Sequence, residues 1–164
     1  MTIVTGEISD ELCSCNPLNE REMDSKNKSI VISFIEEIWN QNRLEKIGNY
    51  ISDQFVDHSL PPTLPPDRDG MKLWIIETGK SFQHKTLIDD IVCEGDKAML
   101  KIRMQLKHIG LWRGIEPTHF DILTVGYRYY KLKDRMIVEH WSLLDGNSIE
   151  NQLKKEWHGC KIQE

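Results

Sequence analysis

Apolar side chains recur along this chain with two different periods, and the change from one to the other divides it. Ile30, Phe34 and Ile38 repeat every four residues, with Val31, Ile35 and Trp39 beside them, which is a broad helical stripe. Ser25 or Asn27 is placed to cap that helix, and Asn40-Gln-Asn42 breaks it. Leu44, Ile47 and Ile51 predict a short second helix over 43–51. Phe55-Val-Asp-His-Ser59 reads as a short extended piece. Pro61, Pro62, Pro65 and Pro66 then exclude regular structure and predict a stiff loop, of a kind that often rims a pocket. Asp67 or Asp69 starts a third helix holding Met71, Trp74, Ile75, Thr78 and Phe82.

From there the period is two. Ala98, Leu100, Ile102, Met104, Leu106 and His108 alternate with Lys97, Met99, Lys101, Arg103, Gln105 and Lys107, the pattern of a half-buried antiparallel strand. Residues 86–94 predict another strand, turning at Glu94-Gly-Asp96, and residues 120–132 and 136–144 complete a sheet. Residues 147–157 predict a terminal helix, which Gly159 is suited to stop. No internal repeat is visible. Helices followed by a strand meander give an α+β order, and a curved sheet wrapped on a long helix leaves a hollow suited to a small molecule. The expected organisation is a tail over 1–24, one domain over 25–158 and a short tail over 159–164.

Composition narrows the function classes. A chain of 164 residues is one domain by length. Its formal net charge of −5 is mild and mixed, without the basic footprint of a nucleic-acid binder. No apolar run is long enough to span a bilayer, and the N-terminus does not read as a signal peptide. Four cysteines (Cys13, Cys15, Cys93 and Cys160) are too few for a disulfide framework at this length, so reduced thiols in the cytoplasm are expected. Cys13-Ser-Cys15 is spaced too tightly for a Cys-x-x-Cys pair, and the six histidines lack metal-ligand spacing. No metal is expected.

The last two strands form a hairpin, and its register decides which side chains share a face. A two-residue turn at Asp134-Arg135 sets Tyr130 opposite Glu139 and Arg128 opposite Trp141, so that all four share one side. His140 then points outward. Asp-Arg suits a type I′ turn poorly because Arg disfavours positive φ. A one-residue bulge would reverse the pairing and bring His140 beside Arg128. The first register is the expected one, and the second stays open.

Five separated pieces resemble the SnoaL-like polyketide cyclases of the NTF2-like cone fold. They are Phe34-Ile-Glu-Glu-Ile-Trp-Asn-Gln41, Phe55-Val-Asp-His58, Glu94-Gly-Asp96, Gly114-Ile-Glu-Pro-Thr118 and Ile137-Val-Glu-His-Trp141, over roughly residues 25–146. The resemblance implies a curved antiparallel sheet packed on N-terminal helices around an internal pocket. It also implies ring closure by intramolecular aldol chemistry without metal or cofactor, with a pocket aspartate as general acid/base. Counted back from the last strand without gaps, that aspartate's position falls on Arg128, and an arginine cannot serve as a base near neutrality.

Other candidates must therefore carry the chemistry. The resemblance puts the Arg128, Tyr130, Glu139 and Trp141 patch on the concave side. There Arg128 would hold an anion or a developing enolate oxygen, and Glu139 or His108 would accept the proton. The alternative is a satisfied Arg–Glu pair that only closes the cone. His108 continues an apolar strand face and would titrate near pH 6.5, which suits a base, though a hydrogen-bonded wall residue fits equally. Asp57 and His58 point to opposite faces of a strand, so one at most faces the pocket, and the family match favours His58. Trp39, Trp74, Trp112 and Trp141 are candidates for an aromatic lining, with plain core packing as the alternative for Trp39 and Trp74.

Two readings of function follow. One is a cofactor-independent enzyme acting on a small carbonyl or polyketide-like compound. The other is a non-catalytic binding or dimerisation module in which Arg128 anchors a carboxylate ligand or fills the cone. Epoxide hydrolysis is disfavoured, because it wants an aspartate where Tyr130 stands. Tyr127, Tyr129 and His140 on the outer face would suit a homodimer interface.

Overall fold

The computed structural model describes residues 17–155. In chain order it contains helix α1 (Pro17–Phe34), a π-helical turn (Ile35–Asn40) and a 3-10 turn (Leu44–Asn49). Strand β1 (Ile51–Asp57), helix α2 (Arg68–Ser81), strand β2 (Phe82–Glu94) and strand β3 (Lys97–His108) follow. Strands β4 (Asp121–Lys133) and β5 (Met136–Leu144) and helix α3 (Gly146–Lys155) complete the described chain.

The strands form one sheet in the order β1-β5-β4-β3-β2, with β1 parallel to β5 and every other pair antiparallel. Along β3 every even position is buried and every odd position exposed, as the alternation predicts. The register carries that inner face across the sheet, setting Met104 opposite Thr124, Leu100 opposite Arg128 and Ala98 opposite Tyr130. Val31, Phe34, Ile35 and Ile38 pack against this face and make the core.

Several boundaries differ from the pattern-based reading. The chain is already helical at Pro17, the first described residue, rather than from Ser25, so residues 17–24 of the expected tail belong to α1. The middle of α1 is docked on the β2–β3 turn: Gly95 N–H donates to Asp24 Oδ1 at 2.8 Å, and Asn27 Nδ2–H donates to Gly95 O at 2.8 Å. Cys13, Cys15, Cys160 and the expected stop at Gly159 lie outside the described residues. Phe82 is not the end of a helix but the first residue of β2, which is longer than the strand expected over 86–94.

Two local devices hold the mouth of the cone. The π-helical turn ends at Asn40, whose side chain copies a strand: Thr86 N–H donates to Asn40 Oδ1 at 2.8 Å and Asn40 Nδ2–H donates to Thr86 O at 3.0 Å. That pair closes part of the β2 edge, where backbone groups would otherwise stand open, and anchors Trp39 beside β2. The proline-rich loop packs on the first turn of α2, capped by Asp67, which accepts from Asp69 N–H and Gly70 N–H. A Cβ at Gly70 would sit 1.7 Å from Pro65 O, so only glycine lets the loop lie this close.

Candidate functional site

The β4–β5 hairpin decides the site, and both halves of the expectation matter. Asp134 and Arg135 do form the tight two-residue turn, with φ of 51° and 63°, despite the poor fit of arginine to positive φ. Lys133 opposes Met136 and Leu132 opposes Ile137, but Lys131 opposes Glu139. Val138 is therefore one extra residue on β5, a bulge that reverses the pairing beyond it. Tyr130 opposes His140, Tyr129 opposes Trp141 and Arg128 opposes Ser142.

The structure corrects four expected placements, three of them through this register. Glu139 lies on the outer face, bonded to His58 Nε2 at 3.0 Å and Lys131 Nζ at 3.3 Å. Trp141 is also outside, stacked on the His58 ring with centroids 4.1 Å apart and planes 8° apart. His58 itself faces outward because the strand alternation of β1 turns Asp57 inward instead. His140, expected outside, is 2 % exposed and faces the core.

On the concave side the sheet, α2, α3 and the loops enclose a cavity of about 360 Å³. Trp39, Trp74, Phe82, Trp112, Met104 and Leu106 give it a largely apolar wall, and Asp57, His84, Arg113, Arg128 and His140 bring its charged and basic groups, Arg113 being paired with Glu150. Trp39, Trp74, Trp112 and Arg128 thus lie where the sequence suggested. Tyr130 is fully buried behind them, its ring stacked against His140 at 4.7 Å and 16°. His108 is buried but is not part of the lining; its ring packs against Phe82 at 5.2 Å. Thr118 N–H donates to its Nδ1 at 3.2 Å, so that nitrogen is an acceptor already in use and the ring proton sits on Nε2. A neutral His108 has no free lone pair for a substrate.

The free lone pair belongs to His140. Its Nδ1–H donates to Asp57 Oδ2 at 2.9 Å, and an ionised Asp57 can only accept, so the neutral ring carries its proton on Nδ1. Asp57 Oδ1 accepts Ser59 N–H at 2.8 Å, which fixes the carboxylate. Nε2 of His140 is buried with no hydrogen-bond partner among the described residues. Burial holds the imidazole below its usual pKa against the opposing pull of Asp57, and the Arg128 charge depresses it further. His84 is lowered for the same two reasons, burial first and Arg128 second.

Arg128 is the least ordinary group here. It is 1 % exposed, yet forms no ion pair with any carboxylate among the described residues. Its Nη1–H reaches Tyr130 Oη at a long 3.4 Å, and Nε has no partner. The guanidinium carbon lies 4.0 Å from the centre of the Trp39 ring. A desolvated cation–π contact contributes about 2 kcal/mol, whereas burying an ion costs several kcal/mol even after relaxation. The indole contact alone leaves this cation undercompensated.

One of these residues, His84, escapes the sequence reading; extending the β2 alternation back from Thr86 through His84 to Phe82 would have found it. Asp57 is the alternative to the favoured His58 in that reading, and the alternation of β1 selects it. Among the described residues no group of three or more His, Cys, Asp or Glu is placed to hold a metal ion, and no helix is long and apolar enough to cross a membrane.

A curved sheet wrapped on helices around a cavity, with titratable groups on the inner strands, is the architecture of a cone-fold protein. Residues 29–153 match the SnoaL-like polyketide cyclase family, and the chain belongs to that family. No curated protein sequence matches it. Among solved structures it is similar to a provisionally named polyketide cyclase from Acidithiobacillus ferrooxidans, at 22 % identity and TM-score 0.72 over 81 % of this chain and 97 % of that one. It is also similar to IdmH from Streptomyces antibioticus, provisionally named a polyketide cyclase, at 24 % identity and TM-score 0.70 over 77 % and 97 %. AclR from Streptomyces galilaeus, provisionally named a hydroxylase, gives 21 % identity and TM-score 0.70 over 80 % and 98 %. At these identities the likeness shows the NTF2-like fold.

Proposed function

We propose that the protein is a cofactor-independent enzyme that removes a proton next to a carbonyl group in a small substrate, as the first step of a cyclisation or isomerisation. The observation that carries this reading is the Asp57–His140 pair, held at 2.9 Å in the wall of the same cavity as Arg128. His140 Nε2 is the base and Asp57 the residue that orients it. Arg128 holds the carbonyl oxygen on which negative charge develops. The acidic partner and the cation are both needed: abstraction puts positive charge on the imidazole and negative charge on the substrate oxygen, in a site with little water to solvate either. The family match and the apolar aromatic wall favour a polyketide-like or similar carbonyl compound.

Hydrogen–deuterium exchange into β-dicarbonyl and aryl ketone substrates, followed by NMR, tests the reading. The wild type should catalyse exchange, and His140→Ala should lose it by about 10²–10⁴-fold, the usual contribution of a general base. Asp57→Asn should retain binding and lose rate. Exchange unaffected in a folded His140→Ala protein would defeat the assignment.

A second reading rests on a specific observation, the arginine at the position where the resemblance puts the family's aspartate. In that reading the cavity binds a ligand and returns it unchanged. We also read the outer sheet face as the surface on which two copies pair, since Tyr127, Trp141 and Leu143 are exposed there together. Light scattering of the wild type and Leu143→Glu tests it: a dimer that becomes a monomer supports the pairing, and a monomeric wild type removes it.

A further inference from the structure

We propose that the cavity takes a small acid, a compound of about one or two rings that enters with a carboxylate already ionised and seats it on Arg128 and Trp39. This deepens the reading of the cavity given above and rests on it for the location of the site; the guanidinium has five N–H donors, enough to hold a carboxylate and still donate to the carbonyl oxygen of the same substrate.

Four observations carry the inference. Arg128 is a buried permanent cation whose Nε–H has no acceptor among the described residues. Trp39 lies under the guanidinium and its Nε1–H is likewise buried without an acceptor. Both groups can only donate, so together they ask for oxygen lone pairs. The one carboxylate in the wall, Asp57, is already committed to His140 Nδ1–H and Ser59 N–H.

The missing acceptor must therefore arrive with the ligand. A neutral ketone offers one weakly basic oxygen. A carboxylate offers two charged oxygens, which match a planar guanidinium fork plus one further N–H donor. Electrostatics point the same way, because an anion at Arg128 relieves the repulsion that the arginine exerts on a protonated His140. The remaining walls are mostly aromatic or aliphatic, with Trp74, Trp112 and Phe82 available to flank a flat ring, and with Ser59, Thr78, Ser142 and an Arg113 already paired with Glu150 as their polar members. A volume of about 360 Å³ sits near the lower end of the range of about 300–1,000 Å³ for small-molecule sites, which suits a compact acid.

Calorimetric titration of the full-length protein with a series of one- and two-ring aromatic and β-keto acids, each beside its primary amide and methyl ester, tests the proposal. At least one acid should bind at least ten times more tightly than its amide and ester. In Arg128→Gln, checked for folding by circular dichroism, that preference should disappear. In Trp39→Phe, which keeps the ring and removes the N–H, it should shrink without vanishing. Equal affinity for acid and ester, an unchanged preference in Arg128→Gln, or no acid in the series binding below about 10 mM would each overturn it. Exchange catalysis on neutral ketones without acid binding would leave the proposed reaction standing and remove this inference. Acid binding with no exchange on any substrate would do the reverse.

Discussion

His140 and Asp57 meet across the parallel β1–β5 pair, Nδ1 to Oδ2 at 2.9 Å, although they lie far apart in sequence. Both are buried, and the contact exists only because Val138 bulges and turns His140 inward. The consequences can be measured.

Stability should fall on the acid side of neutrality. His84, His108 and His140 are all held below their usual pKa, with burial the leading cause in each. The unfolded chain takes up protons near pH 6.5 and the folded chain does not, so their contribution is complete above about pH 6.5. It is lost progressively as the pH drops through that value and on to the folded-state pKa. Urea midpoints between pH 8 and pH 5 should decline, and His140→Gln should flatten part of the slope. A midpoint constant over this range would contradict the burial of these rings.

The outer-face cluster should be dispensable for the chemistry. His58, Glu139 and Lys131 form half-exposed ion pairs, and solvent screening leaves contacts of that kind little net effect on stability. Glu139→Gln and His58→Ala should each leave the urea midpoint nearly unchanged and ligand binding and exchange unaltered. A large loss of either in Glu139→Gln would place that carboxylate in the mechanism.

The register should survive loss of the extra residue. Deletion of Val138 leaves Ile137 opposite Leu132, Glu139 opposite Lys131 and His140 opposite Tyr130, so the inner row keeps its imidazole and only the local kink of the bulge is lost. Exchange measurements on the folded deletion variant check this: dependence on His140 should persist, and a variant in which Glu139→Gln rather than His140→Ala abolishes exchange would refute the register argument.

Asn40→Ala should loosen the mouth of the cavity. It removes both bonds to Thr86 and leaves a part-buried N–H and C=O unpaired, at a cost of about 1–3 kcal/mol. Trp39 should lose its position as well, so ligand affinity should fall along with the thermal midpoint. Affinity preserved at a lowered midpoint would separate the two effects.

The fold was legible where a face has a consistent polarity. On β3 the odd positions are mostly charged or polar and the even ones apolar up to His108, so the alternation could be read in one direction only. The site was less legible because its geometry turns on β5, where the marks run out. Ile137 and Val138 are both β-branched and apolar, and nothing in the pair says which of them faces in or that one is supernumerary. Glu139, His140 and Trp141 are each plausible on either face. At β2 the loss has a different origin: a helical pattern through Phe82 and the later break in pairing between Ile88 and Asp90 hide the alternation that places His84 in the wall. Helix α1 was expected to start late because residues 21–26 bury little, and the contacts that hold Asp24 and Asn27 come from a turn distant in sequence.

The bulge at Val138 also bears on how such a pocket changes over generations. Point substitutions alter one side chain at a time, and each intermediate must still fold. A change that lets Val138 pair instead of bulging would exchange a whole row at once, trading an imidazole for a carboxylate beside the same arginine. A lineage with this hairpin therefore holds two alternative inner surfaces in one stretch of genetic text, and the pairing of the strand, rather than its spelling, selects between them.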